Sequence, residues 1–341
     1  MMTSPGRGAA GWQFIQYLYF HPASRKMQRT EPIVVILGTG GTIAGTAKDA
    51  ADNVGYTAAQ IGVAQLLAAV PALAGQALEA EQVSQIDSKD MGFGIWRALA
   101  LRVAHHLARP DVSGIVITHG TDTLEETAYF LQRVLSPDKP VVFTAAMRPA
   151  TALLADGPQN LLDAVGVARS AGARGVLAVL AGDVHSALDV RKAHTYRLAA
   201  FGSGDAGVIA QIEEGRLRRH RPWPAGVAFG VDRLPADAAR WPWVEIVTSH
   251  AGARAALVES LRQAGVCGIV AACTGNGSLH HELEAALVTA QAAGVRIVRS
   301  SRCLDGAVIA SGEQSLPSAG ALTPVQSRVE MILGLLEAGP P

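Results

Sequence analysis

Two glycine-rich stretches place side-chain hydroxyl groups where a substrate could meet them. The first is Gly38–Gly45 (GTGGTIAG), which directly follows the apolar run Ile33–Leu37. Glycines allow the backbone to approach a ligand closely and leave N–H groups exposed. Ile43 stands where a dinucleotide-binding fingerprint would need its third glycine. Thr42 is therefore a hydroxyl on a glycine-lined turn, either a candidate nucleophile or a residue that only stabilises the turn.

The second stretch is Thr118–Thr127 (THGTDTLEET), which follows an apolar run and opens a predicted helix. Thr121 or Asp122 could simply cap that helix. A carboxylate close to a helix N-terminus also stays ionised, so Asp122 could hold a substrate ammonium group. Thr121 beside it could be a second hydroxyl for proton transfer.

A hydroxyl nucleophile is weak unless a base activates it. His119 is the candidate base nearest in sequence, but it precedes the turn, which favours a structural role. Lys192 follows a predicted strand of the same half of the chain. Taken alone, a lysine at such a position is usually solvated.

The elements that must position these residues form two series of apolar runs alternating with helical patterns. Such alternation predicts parallel sheets covered on both faces, in which ligands bind at the carboxyl ends of the strands. We therefore expect an α/β fold with two α/β domains, a larger N-terminal parallel-sheet domain and a smaller C-terminal parallel-sheet domain. The predicted strands of the first series are Ile33–Leu37, Ile115–Thr118, Val141–Thr144 and Val176–Leu180, with helices over Glu125–Leu135 and Asn160–Arg169. The second series has strands at Val244–Val247, Gly268–Ala272 and Val295–Val298, and helices over Arg254–Ala264, His281–Ala292 and Val325–Leu336.

The domain limits follow from breaks in these patterns. Prolines at 222, 224 and 235 lie in a charge-rich stretch that reads as a linker. The predicted organisation is a disordered leader (1–30), an N-terminal catalytic domain (31–216), a linker (217–240) and a C-terminal domain (241–341). In the leader, Trp12–Phe20 is apolar but contains two glutamines, unlike a signal peptide, and Met27 is a natural alternative start.

Composition narrows the class of protein. The 341 residues include 29 Lys+Arg and 29 Asp+Glu, a balance that argues against a nucleic-acid partner. We expect no membrane partner either, because no apolar run has membrane-spanning length. Cys267, Cys273 and Cys303 lack metal-ligand spacing, so we expect buried free thiols in or beside strands, no metal, and a cytoplasmic protein.

Together these motifs resemble those of the bacterial L-asparaginase family. Thr39–Gly45 and Ile117–Thr127 resemble its two signature motifs, in the right order and spacing. Three further segments are similar to the family pattern: Ala146–Pro149, Asp156–Leu161 and Arg299–Arg302. The resemblance extends from about Ile33 to Glu337.

The resemblance implies roles for the catalytic residues. Thr42 corresponds to the primary nucleophile, which forms an acyl-enzyme, and Tyr56 to a lid tyrosine that hydrogen-bonds it. Thr121 and Lys192 correspond to a second hydroxyl and its lysine base. The polar segment Thr46–Gly55 is loop-like and could close over a substrate.

The resemblance also implies the substrate contacts. Asp122 corresponds to the carboxylate that holds the substrate α-ammonium, and Ser88 to a contact of the α-carboxylate. Two positions depart from the best-known members, which puts affinity and the Asn/Gln preference in doubt: Lys89 replaces an acidic or amide residue, and Ser278 stands where some members have Asn. We expect the Lys89 ammonium to point inward or to pair with Asp122, which would weaken substrate binding. The full set of expected substrate-binding residues is Gly41, Ser88, Lys89, Gly120, Asp122, Ala146, Asn276 and Ser278.

The implied function is hydrolysis of L-asparagine to L-aspartate and ammonia, with some L-glutaminase activity. The family needs no metal and no organic cofactor, and its members are usually homotetramers whose sites are completed by a neighbour's small domain. Glu313 is a candidate for the acidic residue that the neighbour supplies. One alternative is a glutamine-hydrolysing subunit for tRNA amidation, which would carry an extra domain and a basic surface. Another is a non-catalytic amino-acid-binding protein, which would not need Thr42, Thr121 and Lys192 together.

Overall fold

A computed structural model describes Met1, residues 31–309 and residues 316–339 of the chain. The predicted leader, with Trp12–Phe20 and Met27, lies outside the described residues, and so does Glu313. The residues from Pro32 onward form one unit. No helix in the described part of the chain is long and apolar enough to cross a membrane.

The first half of the chain builds an eight-stranded sheet in the order β10-β9-β6-β5-β4-β3-β1-β2. Strands β1 to β5 pair in parallel, whereas β6, β9 and β10 extend the sheet with antiparallel pairs. A separate two-stranded ribbon is formed by β7 and β8. The strands are β1 (Ile33–Gly40), β2 (Leu78–Ile86), β3 (Val112–Thr118), β4 (Pro140–Thr144), β5 (Gly175–Leu180), β6 (Asp183–Ser186), β7 (Arg191–Lys192), β8 (Phe201–Gly202), β9 (Ala210–Glu213) and β10 (Arg216–Arg219). The helices are α1 (Val63–Ala68), α2 (Phe93–Leu107), α3 (Leu124–Leu135) and α4 (Gly157–Arg169).

Strand β1 shows why this sheet is covered on both faces. Successive side chains of a strand point to opposite faces. Val35 and Leu37 join the core that contains residues of α2 and α3, whereas Val34 and Ile36 join the core that contains residues of α4. All four side chains are fully buried. A continuous apolar run is therefore the pattern that this central strand requires.

The second half of the chain builds a three-stranded parallel sheet in the order β11-β12-β13. The last helix begins at a capping box formed by Thr323 and Gln326, and it contacts both this sheet and α3. Tyr129 of α3 donates a hydrogen bond to Glu330 of that helix at 2.9 Å. The elements are β11 (Val244–Thr248), α5 (Ala256–Gln263), β12 (Gly268–Cys273), α6 (His281–Ala292), β13 (Arg296–Ser301) and α7 (Pro324–Ala338). The predicted α/β class with a larger and a smaller sheet is confirmed, although the large sheet is only mostly parallel because β6, β9 and β10 pair antiparallel.

Two expectations need correction. The large sheet does not end before residue 217, because β10 pairs with β9 through Arg219. The exact domain limits otherwise remain a prediction. Cys273 is buried in β12 as expected, but Cys267 is only partly buried and Cys303 is exposed. Cys303 lies beyond the end of β13, where the chain has already left the core.

Candidate active site

The candidate site lies where three neighbouring parallel strands end. In the large sheet β1 lies between β2 and β3, and all three run in the same direction. Their carboxyl ends therefore meet at one edge, the usual ligand-binding edge of such a sheet. Thr42 follows β1, Ser88 follows β2, and Thr121 with Asp122 follows β3. The fold thus brings together residues that the sequence separates by dozens of positions.

Two glycines allow these three turns to touch. A Cβ atom on Gly41 would lie 2.3 Å from both the Cα and the N of Gly120. A Cβ atom on Gly120 would lie 2.4 Å from the Oγ of Ser88. Gly41 also has a φ of +82°, a conformation that side chains disfavour. No other residue type would allow this approach, and this accounts for both glycines in the motifs.

Thr42 is held in a short helical turn, Thr42–Ala44, and is 7% exposed. Its Oγ1 lies 2.7 Å from the Oη of Tyr56, within hydrogen-bonding distance. Tyr56 is placed by a loop whose two ends are joined, because Thr46 and Thr57 exchange two backbone hydrogen bonds of 2.9 Å. The loop between them therefore carries Tyr56 directly over the candidate nucleophile.

Thr151 secures this loop from outside, a contact that the sequence analysis missed. Its Oγ1 accepts a hydrogen bond from the N–H of Ala47 at 2.8 Å and donates to the carbonyl of the same residue at 3.3 Å. Leu153 adds a backbone bond to Ala50 at 3.0 Å. The only sequence signal is position, because Thr151 lies two residues after the end of the motif Ala146–Pro149.

A second cluster forms around Lys192 on the β7–β8 ribbon. Its Nζ lies 2.9 Å from the Oγ1 of Thr121 and 2.6 Å from Oδ1 of Asp122. Thr121 is buried, whereas half of the Asp122 side chain is exposed. A neutral amine in this position can take a proton from Thr121. Lys192 is largely enclosed, so it is not the solvated lysine that is usual at such a position.

Ser88 lies beside the cluster around Lys192. It is 2% exposed, and its Oγ accepts a hydrogen bond from the N–H of Asp122 at 3.2 Å. Its carbonyl accepts from the Oγ1 of Thr123 at 2.8 Å. Thr123, not Thr121 or Asp122, is the residue that precedes α3, and no side chain caps the helix there. The side chains of Thr121 and Asp122 are consequently available for other contacts.

Ala146 lies behind the Thr42 turn. It is fully buried and belongs to a small apolar cluster with Ile43, Ala44 and Leu66. The following turn is fixed by Asp156, which accepts hydrogen bonds from the N–H groups of Met147 and Arg148 at 2.9 and 3.0 Å. Ala146 therefore supports the site through its backbone and its packing.

His119 is buried and neutral. Its Nδ1 donates to the carbonyl oxygen of Gly120 at 2.7 Å, and its ring packs edge-on against Phe143. Burial lowers the pKa of His119 to about 4. The expectation of a structural rather than catalytic histidine agrees with this environment.

The expected orientation of Lys89 is wrong. Its ammonium pairs with Asp90 and lies 3.7 Å from Asp87, and 61% of its side chain is exposed. These carboxylates raise the pKa of Lys89, the Asp90 hydrogen bond most strongly. Asp122, the other partner considered for Lys89, is paired with Lys192 instead. Local acidic neighbours on the same short turn therefore hold Lys89 towards solvent.

Asn276 and Ser278 lie in a different place, the turn that follows β12 of the small sheet. Both are exposed. The Asn276 side chain accepts from the N–H of Ile309 at 2.7 Å and donates to its carbonyl at 3.2 Å. Ser278 pairs with Thr274 across the turn. These bonds join neighbouring segments of the small domain, and none joins Asn276 or Ser278 to Thr42.

The described residues also bear on metal binding. Within residues 31–309 and 316–339, no group of three or more His, Cys, Asp and Glu side chains is arranged to hold a metal ion. The side chains that meet around Thr42 and Thr121 offer hydroxyls, the Lys192 amine and the Asp122 carboxylate.

Comparison with known proteins assigns this arrangement to a class. Residues 33–224 match the model of the asparaginase N-terminal domain, and residues 243–339 match the glutaminase/asparaginase C-terminal domain. The chain therefore belongs to the asparaginase family.

Individual relatives agree with this assignment over most of their length. L-asparaginase 2 of Escherichia coli is 39% identical, with 91% of this chain and 90% of that protein aligned. A glutaminase-asparaginase of Pseudomonas fluorescens is 41% identical, over 82% of this chain and 78% of that protein. A solved structure of a probable cytoplasmic L-asparaginase from Campylobacter jejuni superposes with a TM-score of 0.84. It is 36% identical and covers 89% of this chain and 94% of its own.

Proposed function

We propose that this asparaginase-family amidohydrolase releases ammonia from the side-chain amide of L-asparagine, with Thr42 as the nucleophile. The observation that carries the proposal is that two threonine hydroxyls lie at adjacent strand ends, each within hydrogen-bonding distance of a second functional group. Thr42 lies 2.7 Å from Tyr56, and Thr121 lies 2.9 Å from Lys192. A site that only binds amino acids would not need two hydroxyls, each with a partner able to move a proton.

In the first half of the reaction, Thr42 Oγ1 attacks the amide carbon, and Tyr56 Oη accepts the Thr42 proton while its own hydroxyl proton passes on towards the amide nitrogen. The resulting tetrahedral oxyanion needs hydrogen-bond donors that are already in place. N–H groups of the glycine-lined turns that contain Gly41 and Gly120 are suited to this role. Collapse of the intermediate breaks the C–N bond, and the amine leaves as ammonia after taking up a proton. Thr42 then carries the aspartyl group as an ester.

In the second half, water cleaves the ester and L-aspartate leaves. We assign proton transfer at this end of the site to the Thr121–Lys192 pair. Lys192 acts as a base only while its amine is neutral, and a substrate ammonium held by Asp122 would help, since it competes with Lys192 for the same carboxylate. Substrate binding and base activation are thus coupled through Asp122.

The remaining proposals concern binding and assembly. We propose that Ser88 contacts the substrate α-carboxylate, consistent with its position beside Asp122. We also propose a homotetramer in which a neighbour's small domain completes each site. The exposure of Asn276 and Ser278, away from the Thr42 cluster of their own chain, supports this arrangement. Light scattering after size-exclusion chromatography would test it, and a monomer with full activity would contradict it.

We further propose a cytoplasmic location and secondary activity towards L-glutamine. The first is supported by the described location of the Campylobacter jejuni protein, and the second by the glutaminase-asparaginase of Pseudomonas fluorescens. Cell fractionation tests the location, and recovery in the periplasm would refute it.

The decisive experiment is ammonia release by purified protein from L-Asn, L-Gln and D-Asn at equal concentrations. We expect L-Asn to give the highest kcat/KM. Aspartate formation must match ammonia in a one-to-one ratio. Binding of L-Asn without ammonia release would instead support the alternative of a non-catalytic amino-acid-binding protein.

A further inference from the structure

One carboxyl group close to the site has no role in the reaction described above. Glu125 lies in the first turn of α3, three residues after Asp122, and its side chain is partly buried. Buried carboxyl groups are unfavourable unless they are paired or hydrogen-bonded. The contacts of Glu125 should therefore indicate what it does.

Glu125 contacts the backbone of the candidate base. Its Oε2 accepts a hydrogen bond from the N–H of Lys192 at 3.3 Å. The same lysine reaches Thr121 and Asp122 with its Nζ. Lys192 is thus held at both ends of the residue, by its backbone through Glu125 of α3 and by its amine through Thr121 and Asp122 of the turn that precedes α3.

The ribbon that carries Lys192 is short. Strands β7 and β8 pair through two residue pairs only and belong to neither of the two sheets. Strand β7 uses one edge for β8, so the N–H that Lys192 directs to Glu125 comes from its other edge. Short two-stranded ribbons are marginally stable by themselves. The contact with α3 therefore contributes to fixing the position of β7.

The charge on Glu125 matters for the same reason. Burial raises the pKa of Glu125 to about 7, with a smaller increase from Glu126, while the Lys192 N–H bond and the charges of Arg191 and Lys192 oppose the change. A full negative charge near Lys192 would favour its ammonium form. A carboxyl that is partly neutral at neutral pH can hold the backbone while adding less negative charge beside the amine.

We infer that Glu125 is a positioning residue for Lys192: its hydrogen bond to the β7 backbone sets the distance between the lysine amine and Thr121. Its effect on turnover rests on the proposed function, whereas its effect on the β7 backbone does not. Glu126 provides a matched control. It occupies the same helical turn and is also partly buried, but its carboxylate faces Arg328 at 3.9 Å and not β7.

The first test compares Glu125→Ala, Glu125→Gln and Glu126→Ala for L-Asn hydrolysis. Glu125→Ala removes the acceptor, and we expect kcat to fall about 10- to 100-fold with KM changed less than about threefold, since small misplacements of catalytic groups are costly. Glu125→Gln keeps an acceptor oxygen and should recover kcat to within about threefold of wild type. Glu126→Ala should keep kcat near wild type. Equal losses in the two alanine variants, or no rescue by glutamine, would overturn the inference.

A double-mutant comparison asks whether Glu125 acts through Lys192. In a Lys192→Met background, adding Glu125→Ala should leave the residual kcat unchanged, because residues that act as a unit are not additive. A further loss of the same size as in the wild-type background would mean that Glu125 acts independently.

Amide hydrogen exchange supplies a readout that does not depend on activity. In Glu125→Ala, the peptide containing Lys192 should exchange faster than in wild type, and in Glu126→Ala it should not. Unchanged exchange would refute the positioning role even in an active enzyme. If wild-type protein releases no ammonia but exchange responds as expected, the proposed function fails while the contact stands.

Discussion

The two sheets of this molecule end in polar turns whose side chains make different contacts. At the end of the large sheet some side chains bond to backbone, as Ser88 does, but two contacts join side chain to side chain: Thr42 with Tyr56, and Thr121 with Lys192. At the end of the small sheet, side chains bond to backbone. The buried guanidinium of Arg299 donates to the carbonyls of Leu316 and Gly277 at 3.1 and 3.0 Å.

This difference shows what a reactive strand end requires. Polar side chains that satisfy backbone groups stabilise loops and are no longer available to a substrate. In the large sheet the neighbouring turns satisfy much of their own backbone, and Gly41 and Gly120 let them approach until hydroxyls from different strands meet. Convergence of three adjacent strand ends, not polarity alone, distinguishes the candidate site.

Removing Thr42, the proposed nucleophile, should have the largest effect on activity. Thr42→Ala should fold normally, because it deletes one small polar group from a turn. It should lower kcat by roughly three or more powers of ten, as expected when a covalent step is lost. Steady-state ammonia release and thermal unfolding measure the two quantities. Turnover close to wild type would remove Thr42 from the mechanism.

Removing the amine of Lys192, the proposed base, should have the second-largest effect on activity. Lys192→Met keeps most of the side-chain volume and deletes the amine that contacts Thr121 and Asp122. We expect kcat to fall about 100-fold or more, the scale of general acid–base catalysis, with little change in Tm. The reverse result, a strong loss of Tm with activity kept per folded molecule, would show that Lys192 is structural.

The close approach of the two signature turns can be tested with a pair of glycine substitutions. Gly41→Ala places a methyl group 2.3 Å from the backbone of Gly120 and strains a φ of +82°. We expect it to cost roughly 2–4 kcal/mol of unfolding free energy and most of the activity.

Its control is Gly275→Ala in the turn of the small sheet. That glycine has a φ of +48° and open space around its Cβ position. The expected cost is only the conformational one, about 1 kcal/mol. Urea unfolding measures the free energy of unfolding of both variants. Equal losses would contradict the conclusion that the close approach of the two turns defines the site.

Lys89 should have the smallest effect. Because its ammonium is exposed and paired with Asp90 and Asp87, Lys89→Gln should change KM for L-Asn less than about twofold. A clear decrease in KM would show that the lysine turns towards the substrate during catalysis. That result would restore the interpretation suggested by the sequence.

Much of the fold could be predicted because β1, β3, β4 and β5 are buried on both faces and read as apolar runs. Strand β2 was missed because it is an edge strand with Glu79, Glu81 and Gln82 among its residues. Edge strands have neither a continuous apolar run nor a requirement for one. Helix α2, which follows it, was missed with it.

The motifs located the site residues but not their contacts. The catalytic roles remain predictions from the family pattern, supported by the distances. The bond from Glu125 to the Lys192 backbone joins residues 67 positions apart, and no local pattern announces it. The outward direction of Lys89 depends on which of several nearby carboxylates it meets, which only the folded turn decides.

The sequence separations of the two threonine contacts, Thr42–Tyr56 and Thr121–Lys192, have a consequence for folding. Thr42 and Tyr56 are 14 residues apart, whereas Thr121 and Lys192 are 71 apart. Closing the longer loop costs about 1.4 kcal/mol more in chain entropy. Contacts between distant residues also form more slowly. In refolding, Tyr56 can reach Thr42 early, while Lys192 reaches Thr121 only after the intervening strands have assembled. Regain of enzymatic activity therefore reports a late event, and it should lag behind the recovery of secondary structure.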